Sequence, residues 1–315
     1  MEPTWKDSIY RQREELARML REPLALLAEK CVLVWGDRDG LNTVLLEGFS
    51  SIPYCTYLYV LGNDATQISD NINKAGILSG YFQRNRAKRP YMKEAMPAWG
   101  FLLSDAYISL SAQRPSLTAL QVVVSGAGTL GYLGADFDLR GLPVTSALYQ
   151  EPDEWRQVKG DPAIRGTLFQ QTRTESPMDR NIQKALSILG ELLTERGVFQ
   201  CQIHFSSSQA TIWTIDDPLR YRILDHEVLM DPDICLLYPS RPYPEDATIP
   251  QAEITRVLDA MQGLRKVDMT IYLRTASVNI FNGMVSLTFS CDGSHYMRYD
   301  EFLAKGATFW SGAAE

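Results

Sequence analysis

Hydrophobic positions in the first part of the chain recur at helical spacing. They are Ile9, Leu16, Leu20, Leu24, Leu27 and Cys31, and they predict a helix from about Trp5 to Cys31. Thr4 is a suitable N-cap, and Asp7, three residues later, is its expected capping-box partner. Pro23 interrupts the pattern and should kink or divide the helix.

From Tyr54 onward the period changes to two, which is typical of strands. The predicted strands are Tyr57–Leu61, Thr66–Ser69, Ala106–Leu110, Leu117–Val124 and Thr129–Phe137. Turn residues at Gly62-Asn63-Asp64 and Ser125-Gly126-Ala127-Gly128 separate neighbouring strands. A less regular excursion, residues 76–101, lies between the two β groups. This order predicts an α+β domain over residues 1–150 with one central antiparallel sheet.

The second half repeats a helix-then-strands order. Helices are predicted at Met178–Arg196 and Ile249–Leu264, and strands at Phe199–Phe205, Ala210–Ile215, Ile234–Tyr238, Met269–Leu273, Ser277–Ile280 and Val285–Ser290. Residues 151–177 are polar and weakly periodic, so we interpret them as a linker. Residues 178–315 then form a second α+β domain. It could be a distant PAS-like copy of the first, although no sequence repeat supports that.

Composition limits the classes of partner and compartment. The net charge of −7 argues against nucleic acid as the main partner, because phosphate binding needs a basic surface. Apolar runs are far shorter than a bilayer span, and the N-terminus does not resemble a secretory signal. The five cysteines are scattered and odd in number, which favours a reducing compartment. We therefore expect a soluble cytoplasmic protein with no membrane partner.

Catalytic signatures are weak throughout the sequence. There is no Gly-x-Ser-x-Gly elbow and no phosphate-binding glycine loop, and three histidines offer few general bases. Cys201 with His204, and Cys291 with His295, could suggest zinc, but on a strand Cys201 and His204 point to opposite faces. The sequence predicts a protein that is not an enzyme, with no cofactor and no metal site.

Candidate binding chemistry is concentrated in three segments of the first half. Strand alternation places Asp105, Tyr107 and Ser109 on one face, and it places Tyr132, Gly134, Asp136 and Asp138 on one face of the last strand. If both faces meet the segment that begins at Arg89, a concave site results. Its guanidinium suits a ligand carboxylate, and its Asp and aromatic rings suit an ammonium group. The predicted ligand is a zwitterion or a small charged metabolite.

Structural roles for the same residues remain open alternatives. Arg89 could pair with Asp105 or Glu94, and Tyr107 and Tyr132 could be core aromatics. Asp136 and Asp138 could cap the turn into Leu139-Arg140-Gly141.

Residues from roughly Tyr54 to Pro143 resemble the Cache (PDC, PAS-like) sensor family. The likeness rests on the phrase Gly-Ala-Asp-Phe-Asp-Leu and on Arg89, Tyr91, Tyr107 and Asp136, which stand where amino-acid-binding members hold the ligand's carboxylate and amine. The family pattern has Trp where this chain has Tyr91, and Tyr where it has Met92. The resemblance implies a PAS-like sheet with a long N-terminal helix and ligand-binding roles for these four residues, to which strand parity adds Asp105.

The leading hypothesis is a sensor that binds an amino acid, amine or carboxylate and acts on an unknown signalling protein. A homodimer, formed through the N-terminal helix or the second domain, would give the ligand a contact to change. The alternative is an interaction or scaffold protein that keeps the sensor fold without a ligand. The departures at Tyr91 and Met92 favour that alternative.

Overall fold

The chain divides into two compact units, Met1–Leu148 and Tyr149–Glu315. The computed structural model describes residues 4–96, 100–110, 112–147, 149, 172–291 and 293–311. None of the helices in these ranges is both long enough and apolar enough to cross a bilayer.

Helix α1 (Trp5–Leu33) opens the first unit and begins at the predicted cap. The Asp7 amide donates to Thr4 Oγ1 at 3.3 Å, and the Thr4 amide donates to Asp7 Oδ2 at 2.8 Å. Of the two effects predicted for Pro23, a kink or a division, division is wrong, since α1 runs unbroken through Pro23 over its 29 residues. The buried leucines on both sides of Pro23 pack against the sheet, so tertiary packing compensates for the missing backbone donor.

A second helix, α2 (Arg38–Gly48), follows α1 and was not predicted from the sequence. Its N-cap is Asp37, whose side chain accepts from the Asp39 amide at 3.1 Å. Two short 3-10 helices are Pro90–Met92, before β4, and Leu139–Gly141, directly after β7.

The first unit contains one antiparallel sheet of seven strands. They are β1 (Tyr57–Gly62), β2 (Asn71–Asn73), β3 (Gly76–Leu78), β4 (Phe101–Leu103), β5 (Tyr107–Ile108), β6 (Pro115–Ser125) and β7 (Gly128–Asp138). The strand order is β3-β2-β1-β7-β6-β4, and β5 pairs with β6 near its start. The α+β class, the N-terminal helix and the antiparallel sheet are confirmed.

The predicted strand Thr66–Ser69 is not formed as such. Isolated bridges join Gln67 to Leu61 and Thr66 to Asn85, and the regular ladder resumes only at β2. Two backbone hydrogen bonds still join the segment to β1, from Gly62 to Thr66 and from Ile68 to Val60, and beyond them a side chain takes over: Ser69 Oγ accepts from the Val60 amide at 2.8 Å. Local side-chain bonds of this kind compete with strand pairing, which alternation alone does not reveal.

The sheet has one apolar face and one polar face. Residues that alternate inward on β1, β6 and β7, among them Leu58, Leu117 and Phe137, are buried, and α1 packs against β6 and β7. On the opposite face, the strand register places Thr118 beside Asp136, and it places Tyr59 beside Gly134. The excursion between β3 and β4 contributes residues to this polar face.

The second unit is also α+β. Its helices are α3 (Pro177–Arg180), α4 (Ile182–Glu195), α5 (His226–Leu229), α6 (Glu253–Val267) and α7 (Tyr299–Ser311). Its strands are β8 (Val198–His204), β9 (Gln209–Thr214), β10 (Asp217–Leu224), β11 (Leu273–Asn279), β12 (Met284–Phe289) and β13 (Ser294–Arg298). They form an antiparallel sheet in the order β10-β9-β8-β11-β12-β13.

Several predicted elements of the second unit are wrong. Ile234–Tyr238 is not a strand but the end of a 3-10 helix, Pro232–Leu237, which begins with a proline after the cap Asp231. Strand β11 starts at Leu273, so residues 269–272 form a turn region, where the Asp268 carboxylate accepts hydrogen bonds from the Thr270 and Ile271 amides. Strands β10 and β13 and helix α7 were not predicted.

The predicted linker, 151–177, falls mostly on residues 151–171, which lie outside the described ranges. Its end is structured, because α3 begins with a capping box at Ser176. The Asp179 amide donates to Ser176 Oγ at 3.0 Å, and the Ser176 amide donates to Asp179 Oδ2 at 2.9 Å.

A buried ion pair lies in the core of the second unit. Arg265 on α6 has no exposed surface and binds the Asp179 carboxylate through two hydrogen bonds, each 2.8 Å long. A third guanidinium hydrogen bond reaches the Leu273 carbonyl oxygen at 2.8 Å, and the rings of Tyr272 and Phe205 pack over the cation. Both charges of the pair are therefore met within the protein.

Candidate functional site

Asp136 lies at the centre of the polar face of the first sheet. Its Oδ1 atom accepts two hydrogen bonds from neighbouring strands, from the Tyr59 hydroxyl on β1 at 2.8 Å and from Thr118 Oγ1 on β6 at 2.8 Å. Both donors are fixed by the strand register, since β7 lies between β1 and β6. The carboxylate is thus held rigidly by the sheet itself.

Hydroxyl groups reach Asp136 from two neighbouring strands. Because Thr118 uses its single proton on Asp136, the Tyr107 hydroxyl must donate to Thr118 Oγ1, 2.7 Å away. The Tyr59 hydroxyl is within donor reach of both Asp136 Oδ1 and the Tyr91 hydroxyl, 3.1 Å away, so its single proton serves one of these two acceptors at a time. The donors from both strands meet at the same carboxylate oxygen, Oδ1.

The other oxygen of Asp136, Oδ2, has no hydrogen-bond partner among the described residues. Asp136 lines a cleft of about 280 Å³ that also includes Tyr107. An ionised carboxylate has acceptor capacity on both oxygens. The arrangement therefore saturates one oxygen internally and leaves the second without a donor among the described residues.

Burial raises the pKa of Asp136 above its ordinary value, because desolvation disfavours the charged carboxylate. The nearby Arg86 guanidinium and the hydrogen bonds from Thr118 and Tyr59 act in the opposite direction and offset burial only in part. A cationic ligand at Oδ2 would supply the stabilisation that the protein leaves missing. The carboxylate is poised to gain from a positively charged partner.

The guanidinium built into this network belongs to Arg86. It is buried, lies over the Tyr59 ring at 4.0 Å and donates to the Tyr91 hydroxyl at 3.3 Å. Its remaining donors reach Gln67 Oε1 at 2.8 Å and Asn71 Oδ1 at 3.1 Å. With these contacts, Arg86 ties the excursion to the sheet and has little capacity left for a ligand.

Arg89 is half-buried and lies close enough for its charge to offset a small part of the effect of burial, which raises the pKa values of Asp136 and Tyr107. Its side chain has no hydrogen bond or ion pair within the part of the chain that the structure describes. It therefore pairs with neither Asp105 nor Glu94 there. The guanidinium remains available for a ligand anion, but it is not among the described residues that line the cleft.

Asp105 lies outside the cluster, contrary to the grouping that strand parity predicted. Its side chain is 79% exposed and forms an ion pair with Arg13 of α1 at 2.9 Å. Strand β5 begins only at Tyr107, so the alternation that joined Asp105 to Tyr107 does not extend back to position 105.

Tyr91 and Tyr107 do come together with Asp136. Their ring centroids are 5.9 Å apart, and Tyr91 is buried. Around them lies an apolar cluster formed by Leu102, Leu120, Met92, Met96 and Tyr132. This apolar cluster keeps water away from the Asp136 network where the network faces residues 76–101. Tyr132 is thus part of an apolar contact, which agrees with the alternative that it is a core aromatic residue.

Gly134 explains how Tyr59 reaches Asp136. A Cβ atom at position 134 would meet the Tyr59 ring, with Cζ at 2.7 Å and Cε2 closer still. The space left by the missing side chain at Gly134 is therefore filled by the Tyr59 side chain.

The cleft opens beside the turn between β5 and β6, at the end of the sheet. The hydroxyl-bearing residues of its lining are Thr56, Tyr57, Tyr107, Ser109 and Ser116. Arg114 and Asp138 are its remaining charged residues, and Arg114 Nη2 lies 3.4 Å from Asp138 Oδ2. Asp138 also caps the 3-10 helix Leu139–Gly141 by accepting from the Arg140 amide at 3.1 Å, as one sequence alternative predicted.

Sequence analysis missed the residues that complete the network, namely Tyr59, Thr118, Arg86 and Arg114. Tyr59 and Thr118 could have been found by aligning the strands, since each follows from the register opposite β7. Arg86 lies in the basic stretch 84–89, which includes Arg89. Nothing in the local sequence distinguishes Arg86 from Arg89 as the buried member.

The described residues offer no alternative metal centre. No group of three or more His, Cys, Asp or Glu side chains comes together in those ranges, as a metal site would need. Burial raises the pKa of Cys201 to about 12 and lowers that of His204 to about 4. Both side chains are neutral at pH 7.

Comparison with known proteins returned no matching family model and no matching curated protein. Among solved structures, the sensory domain of the Campylobacter jejuni chemoreceptor Tlp3 with isoleucine bound matches at 12% identity and TM-score 0.36, over 46% of this chain and 60% of that one. The ligand-binding domain of the Pseudomonas fluorescens chemoreceptor CtaA with L-isoleucine gives 14%, TM-score 0.31, and 42% and 52% of the two chains.

An extracellular ligand binding receptor from Desulfohalobium retbaense gives 13% identity and TM-score 0.35, over 44% of this chain and 26% of that one. The chain therefore spans between about a quarter and three fifths of the length of these chains. The structures to which it is similar in this limited sense are ligand-binding sensor domains of receptors.

Proposed function

We propose that the first unit is a ligand-binding sensor domain whose ligand presents a cationic or hydrogen-donating group to Asp136. The observation that carries this proposal is the asymmetry of that carboxylate. Both hydroxyl groups that donate to it meet at Oδ1, whereas Oδ2 has no hydrogen-bond partner among the described residues of a carboxylate that lines the cleft. The ligand class is a small amine, an amino acid or a related metabolite, and no catalytic step is part of the proposal.

The competing scaffold hypothesis predicts a site that is fully satisfied by the protein. Asp179 in the second unit fits that description, because Arg265 neutralises it. Asp136 does not fit it, since no guanidinium or ammonium nitrogen of the described residues forms an ion pair with it. A partly desolvated carboxylate without a paired charge is costly to keep, and a ligand gives a reason for keeping it.

The test is a thermal-shift screen of amines, amino acids and carboxylates on the full chain. Ligands should raise the melting temperature by mass action, and Asp136→Asn should abolish the shift. Loss of a charged partner in a partly dry site should weaken binding by about 2–5 kcal/mol. Asp105→Asn is the matched control, because that carboxylate is exposed and lies outside the network.

Two outcomes would contradict the proposal. A full screen without any stabilising compound would favour the scaffold alternative. A compound whose shift is unchanged in Asp136→Asn would place binding elsewhere. Circular dichroism of the variant, which should match the wild type, separates a lost ligand from a lost fold.

Signalling through a partner or a homodimer belongs to the same proposal. A ligand that binds two conformations unequally shifts their populations and can thereby change a contact with another chain. Light scattering with and without a screening hit tests this step. A monomer of unchanged mass in both states would count against the homodimer. A cytoplasmic location stays a prediction.

A further inference from the structure

The charges of the chain are divided unequally between its two units. Residues 1–148 contain fifteen basic and fifteen acidic residues, so the whole net charge of −7 falls on residues 149–315. Two segments concentrate opposite signs. Residues 74–93, the basic segment, contain six Lys and Arg and no Asp or Glu, whereas residues 216–246, the acidic segment, contain eight Asp and Glu and three Arg.

The basic segment presents cations that the protein does not pair. Lys74, Arg84, Lys88 and Lys93 are exposed, and none of them forms an ion pair with another residue in the described ranges. Uncompensated charges of one sign on a single segment repel one another, and a surface of the opposite sign relieves that repulsion. The segment therefore has the charge of a binding surface for an anionic partner.

The backbone of the basic segment is fixed, so these cations stand on a preformed surface. The Gln83 amide donates to the Gln67 carbonyl oxygen at 2.8 Å, and the Gln67 amide donates to that of Arg84 at 2.9 Å. The Arg84 guanidinium lies over the Tyr81 ring, 4.4 Å from its centroid. Binding to a preformed surface orders fewer groups, which lowers the entropic cost of association.

The acidic segment includes β10, the strand at one end of the second sheet, followed by α5. Glu245 and Asp246, near the end of the segment, are exposed and form no ion pair within the part of the chain that the structure describes. Leu219 and Tyr221 of β10 are also exposed, and Ile77 of the basic segment is 50% exposed. Each segment thus offers charges of one sign together with apolar surface.

We propose that the basic segment binds the acidic segment of a second copy of this chain, and that a reciprocal pair of these contacts closes a homodimer. Each copy carries both segments, so a two-fold axis brings the cations of one copy to the carboxylates of the other twice. Complementary charges of this kind steer association and fix its register. The inference goes beyond the proposed function, since it needs no ligand, and it gives the homodimer a contact surface other than the N-terminal helix.

Two other anionic partners fit the observations less well. A nucleic acid or an anionic membrane would attract the basic segment, but each would repel the net charge of −7 that the second unit carries. A second copy meets both segments with the opposite sign. The charge distribution therefore favours self-association over either of these partners.

The experiment measures the mass of the full chain by sedimentation equilibrium over a range of protein concentrations. The dimer should form in about 0.1 M salt, and its Kd should rise at least about tenfold in about 1 M salt, where the Debye length falls from about 10 Å to about 3 Å. Arg84→Glu combined with Lys88→Glu should raise the Kd at least about tenfold at the lower salt concentration. Arg18→Glu combined with Lys30→Glu is the matched control and should change it less than about threefold, because both cations are exposed on α1.

A mixture of charge-reversed variants gives the sharpest test. Glu245→Lys combined with Asp246→Lys should also weaken the dimer, because it opposes like charges at both contacts. In an equimolar mixture with the Arg84→Glu, Lys88→Glu variant, both contacts of a heterodimer pair opposite charges again, so association should return. Circular dichroism spectra that match the wild type show that the variants are folded.

Four results would overturn the inference: a monomer at every concentration in about 0.1 M salt, a dimer unaffected by the Arg84→Glu, Lys88→Glu variant, loss of the dimer in the α1 control alone, or a mixture that does not associate. If the chain is a monomer, vesicles of anionic lipid that bind the wild type and not the Arg84→Glu, Lys88→Glu variant would assign the surface to a membrane instead. Ligand binding at Asp136 is tested separately by the thermal shift, and it survives each of these results.

Discussion

The two units hold buried carboxylates in opposite ways. Asp179 is 2% exposed and has both oxygens bound by Arg265, besides the amide of Ser176. Asp136 receives only hydroxyl protons, all on one oxygen, and no guanidinium pairs with it among the described residues. In the first arrangement the protein satisfies the whole Asp179 carboxylate, whereas in the second it leaves one Asp136 oxygen without a donor among the described residues.

The pKa values of the two carboxyl groups shift in opposite directions, because burial is compensated to different extents at the two sites. Burial alone raises the pKa of each carboxyl. At Asp179, burial is outweighed by the hydrogen bonds and charge of Arg265 together with the hydrogen bonds of Ser176, so the pKa falls below its ordinary value. At Asp136, burial prevails and the pKa is raised. A buried carboxyl group whose desolvation is only partly compensated by the protein is the stronger indication of a binding site.

The largest expected effect comes from breaking the closed pair. Asp179→Asn leaves the Arg265 cation fully buried without a counter-charge, and it should lower the free energy of unfolding by about 3–5 kcal/mol. Urea unfolding of the full chain measures this loss. Asp216→Asn is the control: it removes an exposed ion pair with Arg241 and should cost less than about 1 kcal/mol. Similar losses in both variants would refute the contrast.

The next effect concerns the fit of Tyr59 against the sheet. Gly134→Ala places a methyl group where the Tyr59 ring lies, so the ring must move and its hydrogen bond to Asp136 is lost. The expected cost is about 1–3 kcal/mol, as for overpacking elsewhere. Gly126→Ala is the matched control, because a Cβ atom there meets nothing within 4 Å. Equal melting temperatures for the two variants would show that Tyr59 is not confined.

A smaller effect, in the opposite direction to the first, is expected at Asp136. Because its folded pKa is raised, the wild type binds more protons folded than unfolded and loses stability as pH rises through that pKa. Asp136→Asn cannot lose a proton, so without ligand it should become progressively more stable than the wild type as pH rises above 3.8, the ordinary value. Asp179 stabilises above its ordinary pKa and loses that contribution in acid below it.

Chemical denaturation at several pH values measures both dependences. The stability difference between wild type and Asp136→Asn should grow from acid to neutral pH. A difference that shrinks over the same range would mean that the Asp136 pKa is lowered, as in a closed pair. That outcome would remove the distinction between the two carboxylates.

The smallest effect tests the hydroxyl chain. Thr118→Val removes one donor from Asp136 and leaves the Tyr107 hydroxyl without its acceptor, so it should cost about 0.5–1.5 kcal/mol. Thr211→Val, whose hydroxyl lies 3.4 Å from His204 Nε2 in the second unit, should cost less. A double-mutant cycle of Thr118→Val with Asp136→Asn should show coupling. Strict additivity would mean that the two groups do not act together.

The elements most accurately predicted from the sequence were those whose periodicity was long. The helix that starts at Thr4 and the long strands β6 and β7 are examples, and Asp136 was placed on the correct face from alternation. Tyr91 and Tyr107 were also grouped with it correctly. In these segments, local pattern and tertiary burial agree.

Elsewhere, interactions between distant residues decided the structure. Asp105 was misplaced because its strand is short and because Arg13, far away in sequence, holds it at the surface. Arg86 rather than Arg89 is the buried arginine because the side-chain oxygens of Gln67 and Asn71 accept hydrogen bonds from the Arg86 guanidinium. Side-chain hydrogen bonds across such separations leave no periodic signal in the chain.

The position of the cleft has a kinetic consequence. Arg86 holds the excursion onto the sheet through Gln67 and Asn71, but the cleft opens beside the β5–β6 turn and its described lining includes no residue of the excursion. A ligand can therefore arrive without waiting for the excursion to detach, and association should not be limited by a slow opening step. Differences in affinity among ligands would then arise mainly from their dissociation rates, which the contacts in the cleft determine.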